Sequence, residues 1–313
     1  ADEPMSPGGN IPHQAFMIFQ AMFAIITPAL VTGAFAERMK FGALCLFIVL
    51  WVTIVYAPLA HWVWGGGWLG DLGALDFAGG TVVHISAGAG ALAAALVIGK
   101  RVGFPEQPMG PANVPMVLLG AALLWFGWFG FNAGSSLAAD GVATNAFVVT
   151  NTAAAAAMMS WLILAWLIDG KPSAVGAASG AVAGLVAITP AAGFVGPMPA
   201  LIIGAGAGVF CYGMVKFLIR LKVDDALAVF GVHGVGGIWG ALATGIFVGV
   251  GYSALGDGVG RWEQIGDQLI GIGAAFGWSF VLTTIIMLGL KYTIGIAANE
   301  ADEGVGLDIA EHG

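Results

Sequence analysis

Charge is what this sequence has least of. Only 9% of its 313 residues are charged, and 18 acidic residues outnumber 10 basic ones. Nucleic-acid recognition needs a basic patch, so this balance argues against a nucleic-acid partner. Cysteine is rare too. Cys45 and Cys211 both lie inside apolar runs, which favours two buried thiols over a disulfide framework.

Apolar residues make up most of what remains. They account for 59% of the chain, the mean hydropathy is +0.92, and there are 51 glycines. No soluble domain of this size needs so much apolar surface. Small residues let helices approach closely where lipid supplies no hydrophobic drive between them. The composition therefore predicts an all-α polytopic membrane protein in a lipid bilayer.

Nine apolar runs are long enough to span a membrane. Turn residues separate them, and their approximate limits are 14–36, 41–62, 77–99, 113–135, 142–168, 174–192, 197–221, 226–250 and 266–292. We divide the chain into a transmembrane domain at 1–297 and a tail at 298–313.

The basic residues predict the orientation of these runs. Nine of the ten follow odd-numbered runs: Arg38, Lys40, Lys100, Arg101, Lys171, Lys216, Arg220, Lys222 and Lys291. Lysine and arginine concentrate in cytoplasmic loops. The N-terminus is therefore expected outside and the C-terminus in the cytoplasm of a cell membrane.

Two segments of like spacing place a histidine in an apolar run. His84 follows Asp76 by eight residues, and His233 follows Asp225 by eight. If each helix begins at its aspartate, each histidine lies roughly 12 Å along it, close to the membrane midplane at about 15 Å. An ionisable group there is usually functional. The alternative is a histidine that a helix carbonyl satisfies.

The two segments run in opposite directions across the membrane, which is typical of an inverted repeat. Three runs form the first half, whereas five form runs 4 to 8. Two helices are therefore expected to be missing from the front.

Several blocks together resemble the ammonium transporter family (Amt/Mep/Rh) over nearly the whole chain. They are DFAGG at 76–80, GKRVGF at 99–104, FGFNAGS at 129–135, VFGVHG at 229–234 and GLD at 306–308. The resemblance implies a homotrimer with one pore in each subunit and usually eleven helices. Against that pattern, the first two helices are expected to be absent from this sequence, either because it is a fragment or because the N-terminal part is numbered elsewhere.

The resemblance assigns roles to single residues. His84 and His233 correspond to the twin pore histidines, and an imidazole pair that shares one proton can relay a proton. Phe23, Trp64 and Ser135 correspond to the outer ammonium site, with cation–π faces and a hydroxyl acceptor. A Trp at a membrane edge is otherwise an interfacial anchor. The presence of Trp64 and Ser135 favours the Amt branch.

The remaining roles concern the gate and the aspartate. Phe19 and Phe131 correspond to a stacked aromatic gate below the outer site, although ordinary helix packing explains them equally well. Asp76 would support the outer site electrostatically without touching ammonium. It would also cap its helix, and both roles can hold.

The tail is acidic and polar, so disorder is one reading of it. Its resemblance to the family's cytoplasmic tail implies a contact with a PII signal protein.

Taken together, these features predict ammonium capture outside, deprotonation, and passage of ammonia past the histidines. The alternative is an ammonium sensor of the same fold that does not transport. No nucleophile–base pair or metal-spaced cluster is apparent, so neither an enzyme nor a cofactor is expected.

Overall fold

The computed structural model describes Met5, Ser6, residues 10–107 and residues 109–313. Over these residues every named secondary-structure element is helical, which confirms the predicted all-α class. The α-helices are α1 (His13–Thr32), α2 (Phe41–Trp51), α3 (Ala57–Trp64), α4 (Trp68–Leu72), α5 (Ser86–Ile98), α6 (Val114–Ala133), α7 (Gly141–Asp169), α8 (Ala174–Ile188), α9 (Pro197–Arg220), α10 (Val235–Phe247), α11 (Arg261–Thr293), α12 (Glu300–Val305) and α13 (Leu307–His312).

Eight helical segments of the described chain are long and apolar enough to cross a membrane. The shorter apolar helix α8 corresponds to the sixth predicted run, at 174–192, and brings the total to nine. Together they match the nine runs of the sequence, so the chain is a multi-pass membrane protein. Side-chain caps fix several starts: Asn113 accepts from the Met116 amide at 3.0 Å, and Asp140 accepts from the Ala143 amide at 2.9 Å.

Helices α7, α8 and α9 pack so closely that their backbones are in contact. A Cβ on Gly204 would lie 2.2 Å from the Ala153 carbonyl oxygen, and a Cβ on Gly184 would lie 2.3 Å from the same atom. Only glycine permits these approaches. The abundance of small residues thus has the packing role that the composition predicted.

His84 and His233 each lie in a π-helical turn at the start of a helix. The turn Gly80–Ile85 leads into α5, and Phe230–Gly234 leads into α10. The expectation that the helices begin at the aspartates, about 12 Å before the histidines, is wrong. The chain from 73 to 79 is non-helical but lies within the protein, so His84 is still buried.

The two π-helical turns meet where the helices cross. A Cβ on Gly88 would lie 2.2 Å from the Cα of Gly234, and one on Gly237 would lie 3.0 Å from the Gly80 carbonyl oxygen. These contacts allow the two backbones to touch, and they hold the two histidines side by side.

Buried ionic contacts join the loops at one end of the molecule. The Asp224 carboxylate accepts from the Arg101 guanidinium at 2.8 Å, and the Arg38 Nη2 donates to the Asp224 carbonyl at 2.7 Å. Although burial raises it, hydrogen bonds from Arg101 hold the pKa of Asp224 below its usual value. We call this the basic end.

The tail is ordered against the basic end. The Ala298 amide donates to the Arg38 carbonyl at 2.9 Å, Glu303 accepts from the Val102 amide at 2.6 Å, and Glu311 accepts from the Phe41 amide at 2.8 Å. The short helices α12 and α13 therefore contact two loops of the transmembrane body, which argues against the disordered alternative for this tail.

Candidate pore and its aromatic barrier

A histidine pair lies at the centre of the molecule. The Nδ1 atoms of His84 and His233 are 3.2 Å apart, so one imidazole donates to the other. His84 is fully buried and His233 is 8% exposed. The Nε2 of His84 has no hydrogen-bond partner within the described chain. Sharing at Nδ1 leaves one neutral ring with Nε2 as an acceptor and the other with Nε2–H as a donor.

Two aromatic rings of α6 stack against His84. The His84 ring stacks on Trp128 at 5.3 Å and on Phe131 at 5.8 Å between centroids. The Trp128 indole donates to the Thr189 hydroxyl at 2.9 Å, which fixes its orientation. The histidine pair is thus enclosed in apolar surface.

A cavity of about 450 Å³ lies beyond these rings, and we call it the outer cavity after the outer site that the sequence predicts. Among its lining residues are four predicted ones: Phe19, Phe23, Trp64 and Ser135. The structure therefore brings together the outer-site residues and one of the two predicted gate residues, although they come from distant parts of the sequence.

The aromatic rings follow a definite order. The Phe23 ring lies 5.0 Å from Phe19 and 4.7 Å from Phe131, so it lies between them. It is also 5.6 Å from Trp64 in an edge-on arrangement. The predicted gate residues Phe19 and Phe131 both line a small cavity together with Phe23, and the ring in direct contact with Phe131 is that of Phe23.

The polar groups of the outer cavity have fixed roles. The Ser135 hydroxyl donates to the Phe131 carbonyl at 2.8 Å, which leaves its lone pairs free to accept from a cation. The Trp64 indole N–H donates to the backbone carbonyl of Asp76 at 2.9 Å. That bond sets the plane of the indole ring.

The Asp76 carboxylate is fully occupied by the π-helical turn of His84. It accepts from the amides of Gly79 and Gly80 at 2.8 and 2.6 Å, and from the amides of Thr81 and Val82 at 2.8 and 3.1 Å. The Thr81 hydroxyl also donates to it. Asp76 does not line the outer cavity, so the geometry fits the predicted cap and an indirect effect on the outer site.

Asp225 caps the second turn in the same manner. Its carboxylate accepts from the Val229 amide at 2.9 Å and from the Phe230 amide at 2.7 Å. Burial raises the pKa of Asp225 to about 6, although these hydrogen bonds and the Arg38 charge oppose the rise.

The raised pKa predicts a pH dependence of stability. Between about pH 4 and 6 the folded chain holds a proton on Asp225 that the unfolded chain has lost, so this group's contribution is largest at low pH and disappears as the pH rises through about 6. We expect thermal unfolding in detergent to show that the stability of the wild-type protein falls between about pH 4 and 6. The stability of Asp225→Asn should not show this fall. Parallel pH profiles for the two proteins would contradict it.

An inner cavity of about 270 Å³ lies on the other side of the pair. His233, Val232 and Leu227 line it together with Ser179. The histidines therefore separate two cavities, one on each side of the membrane-spanning body.

Sequence reasoning missed the position of Trp128. The sequence patterns assign this residue no definite role, whereas its ring stacks on both His84 and Phe131. The spacing of three residues between Trp128 and Phe131 on one helix was a usable signal. Gln20 and Phe77 also line the outer cavity, and no motif distinguished them. No metal-binding group of acidic, His or Cys residues occurs in the described ranges.

Comparison with known proteins agrees with this arrangement. Residues 3–313 match the family model described as Ammonium Transporter Family. An ammonium transporter of Bacillus subtilis is 50% identical over 99% of this chain and 78% of its own length. Ammonium transporter Amt1 of Archaeoglobus fulgidus is 50% identical over 95% of this chain and 76% of its own length.

Solved structures share the fold. One described as a sensor Amt protein has a TM-score of 0.89 at 37% identity and covers 95% of this chain and 76% of that one. Candida albicans Mep2 has a TM-score of 0.86 at 40% identity and covers 93% of this chain and 68% of that one. The buried histidine pair, the aromatic cover and the match along the whole sequence lead to one conclusion: this chain belongs to the ammonium transporter family, a family of non-enzymatic transporters.

Proposed function

We propose that this protein captures ammonium at the outer cavity, releases its proton at the aromatic barrier and passes ammonia along the histidine pair. The observation on which this rests is the position of His84 and His233, buried between two cavities and 3.2 Å apart. Family membership supports ammonium as the substrate.

Capture uses the aromatic faces and the hydroxyl of the outer cavity. A small cation over an aromatic face gains about 0.5–2 kcal/mol per contact. The Ser135 oxygen adds a hydrogen-bond acceptor, and the bond from Trp64 to the Asp76 carbonyl holds the indole in place. Binding of this strength is selective but weak enough for release.

The barrier consists of Phe23 and Phe131, with Phe19 belonging to the outer site. This assignment exchanges the roles that the sequence predicts for the two α1 phenylalanines. It is supported by the 4.7 Å contact between Phe23 and Phe131 and by the stacking of Phe131 on His84.

Deprotonation at the barrier has an energetic reason. A bare cation in an apolar pore costs several kcal/mol, whereas ammonia is neutral. The same step excludes sodium and potassium, which have no proton to lose. Beyond the barrier, the Nε2 of His84 offers ammonia a hydrogen-bonding partner in an otherwise apolar passage.

The family resemblance extends the proposal to assembly and orientation. We propose a homotrimer in a cell membrane, with the outer cavity outside and the basic end in the cytoplasm. The tail docked at the basic end is a suitable site for a PII signal protein. A pull-down with PII in the presence and absence of nucleotide tests this. Failure of PII to bind under either condition would contradict it.

Matched phenylalanine variants test the exchanged roles. Phe19→Ala is expected to raise the half-saturating ammonium concentration by about 2- to 30-fold, because it removes one cation–π face. Phe23→Ala is expected to open the barrier and allow potassium to leak into proteoliposomes. Flux assays with ammonium and potassium distinguish the two variants. A potassium leak in Phe19→Ala alone would instead support the gate of Phe19 and Phe131 that the sequence predicts.

A sensor is the second candidate function, because one solved relative is described as a sensor Amt protein. Uptake of ammonium by proteoliposomes separates the two functions. A transporter gives saturable uptake above that of empty liposomes. Ammonium binding without uptake would indicate a sensor.

A further inference from the structure

Gln268 lies outside the pore but contacts the segment that supports the outer site. It is on α11 and only 1% exposed. Its Oε1 accepts from the Leu75 amide at 2.6 Å, and its Nε2 donates to the Leu75 carbonyl at 2.8 Å. One side-chain amide thus binds both backbone groups of the residue directly before Asp76.

The same amide also joins α10. Its Nε2 donates a second hydrogen bond to the Ala241 carbonyl at 2.9 Å. All the donors of the amide are then used, and its oxygen accepts from Leu75. Gln268 therefore links two spanning helices to the non-helical segment 73–79.

Asp76 connects the Leu75 backbone to the outer site. Its backbone carbonyl accepts from the Trp64 indole, while its carboxylate caps the turn that contains His84. The carboxylate and the turn are close in sequence and move together. Trp64 belongs to a different helix, so a shift of Asp76 alters the position of the indole more than that of the histidine.

We propose that Gln268 is a positioning residue for ammonium capture, because it holds the Leu75–Asp76 backbone at the place where it orients Trp64. This inference depends on the proposed function of the outer site. It predicts an effect on apparent affinity that exceeds the effect on maximal rate.

Gln264 provides a matched control. It lies one turn earlier on α11, is also buried, and donates to the Gly73 carbonyl at 2.9 Å. It contacts the same segment but not the residue before Asp76. Its Nε2 also lies 3.5 Å from the Gln268 Oε1, but that oxygen keeps its shorter bond from the Leu75 amide when Gln264 is lost. Loss of Gln264 therefore removes a similar buried amide without releasing Leu75.

The first test is the ammonium dependence of uptake in proteoliposomes. Gln268→Ala is expected to raise the half-saturating concentration about tenfold, as the loss of its two hydrogen bonds to Leu75 implies, with the maximal rate within about twofold of wild type. Gln264→Ala is expected to leave both within about twofold. Equal effects of the two variants, or a loss of maximal rate alone, would overturn the proposal.

Gln268→Glu adds a pH signature. When the introduced carboxylate is ionised, it repels the Leu75 carbonyl oxygen. When it is protonated, it accepts from the Leu75 amide and donates to that carbonyl. We expect its half-saturating concentration, divided by the wild-type value at each pH, to fall towards one as the pH is lowered. A ratio that does not change with pH would contradict the role of the paired hydrogen bonds.

Amide exchange tests the positioning without transport. In Gln268→Ala, the backbone amides of 73–82 are expected to exchange faster than in wild type and in Gln264→Ala. Unchanged exchange in this segment would overturn the proposal even if the protein does not transport. Absence of uptake by the wild-type protein would count against the proposed function alone.

Discussion

Replacing His84 by alanine is expected to lower selective ammonium flux by at least about tenfold, because the variant loses the shared Nδ1 hydrogen bond and the free Nε2 at the centre of the passage. His233 then has no imidazole partner, and no relay remains between the barrier and the inner cavity. Flux into proteoliposomes, measured for ammonium and for potassium, gives both rate and selectivity.

His13 is the matched control for this variant. It lies exposed at the start of α1, away from the pair. His13→Ala is expected to transport like wild type. Retention of fast, selective ammonium flux by His84→Ala would mean that the pair is structural and that the passage lies elsewhere.

Asp76→Ala is expected to have the largest effect on stability. Four backbone amides and the Thr81 hydroxyl would lose their common acceptor in a buried position. Each unsatisfied buried group costs about 1–3 kcal/mol, so a total loss of about 3 kcal/mol or more is expected. Thermal unfolding in detergent and ammonium uptake should both show the defect.

Asp71 offers a control of the same residue type in the preceding helix. Its side chain is exposed, and Asp71→Ala is expected to unfold and transport like wild type. Asp76→Asn should be intermediate in stability, because one oxygen still accepts while the amide nitrogen faces backbone donors. An Asp76→Ala protein as stable as wild type would show that the turn of His84 does not depend on its cap.

Much of the fold follows from the sequence because hydropathy alone determines which segments can span a bilayer. The nine runs, the spacing between Asp76 and His84, and its copy at Asp225 and His233 were all visible there. Patterns of this kind depend on residue type and separation along the chain, which the sequence contains directly.

The start of the helices could not be predicted in the same way. The Asp76 carboxylate accepts hydrogen bonds from four backbone amides, and these replace the first helical turn. The helix therefore begins at Gly80 although the apolar run begins earlier. The order of Phe19, Phe23 and Phe131 also depends on how α1 and α6 are rotated against each other. Neighbouring rings on a uniformly apolar helix give no signal for that rotation.

The buried amide of Gln268 illustrates a third limit. Its partner Leu75 is 193 residues away in the sequence. A buried glutamine in an apolar helix needs a hydrogen-bond partner, but only the packing of α11 on the segment before Asp76 shows which one.

The ratio of ammonium to potassium flux through the wild-type protein in proteoliposomes tests the central claim most directly. Passage as neutral ammonia through the barrier of Phe23 and Phe131 predicts that ammonium enters at least about 100-fold faster than potassium at equal concentration and membrane potential. Comparable rates for the two cations would contradict deprotonation, since potassium has no proton to release.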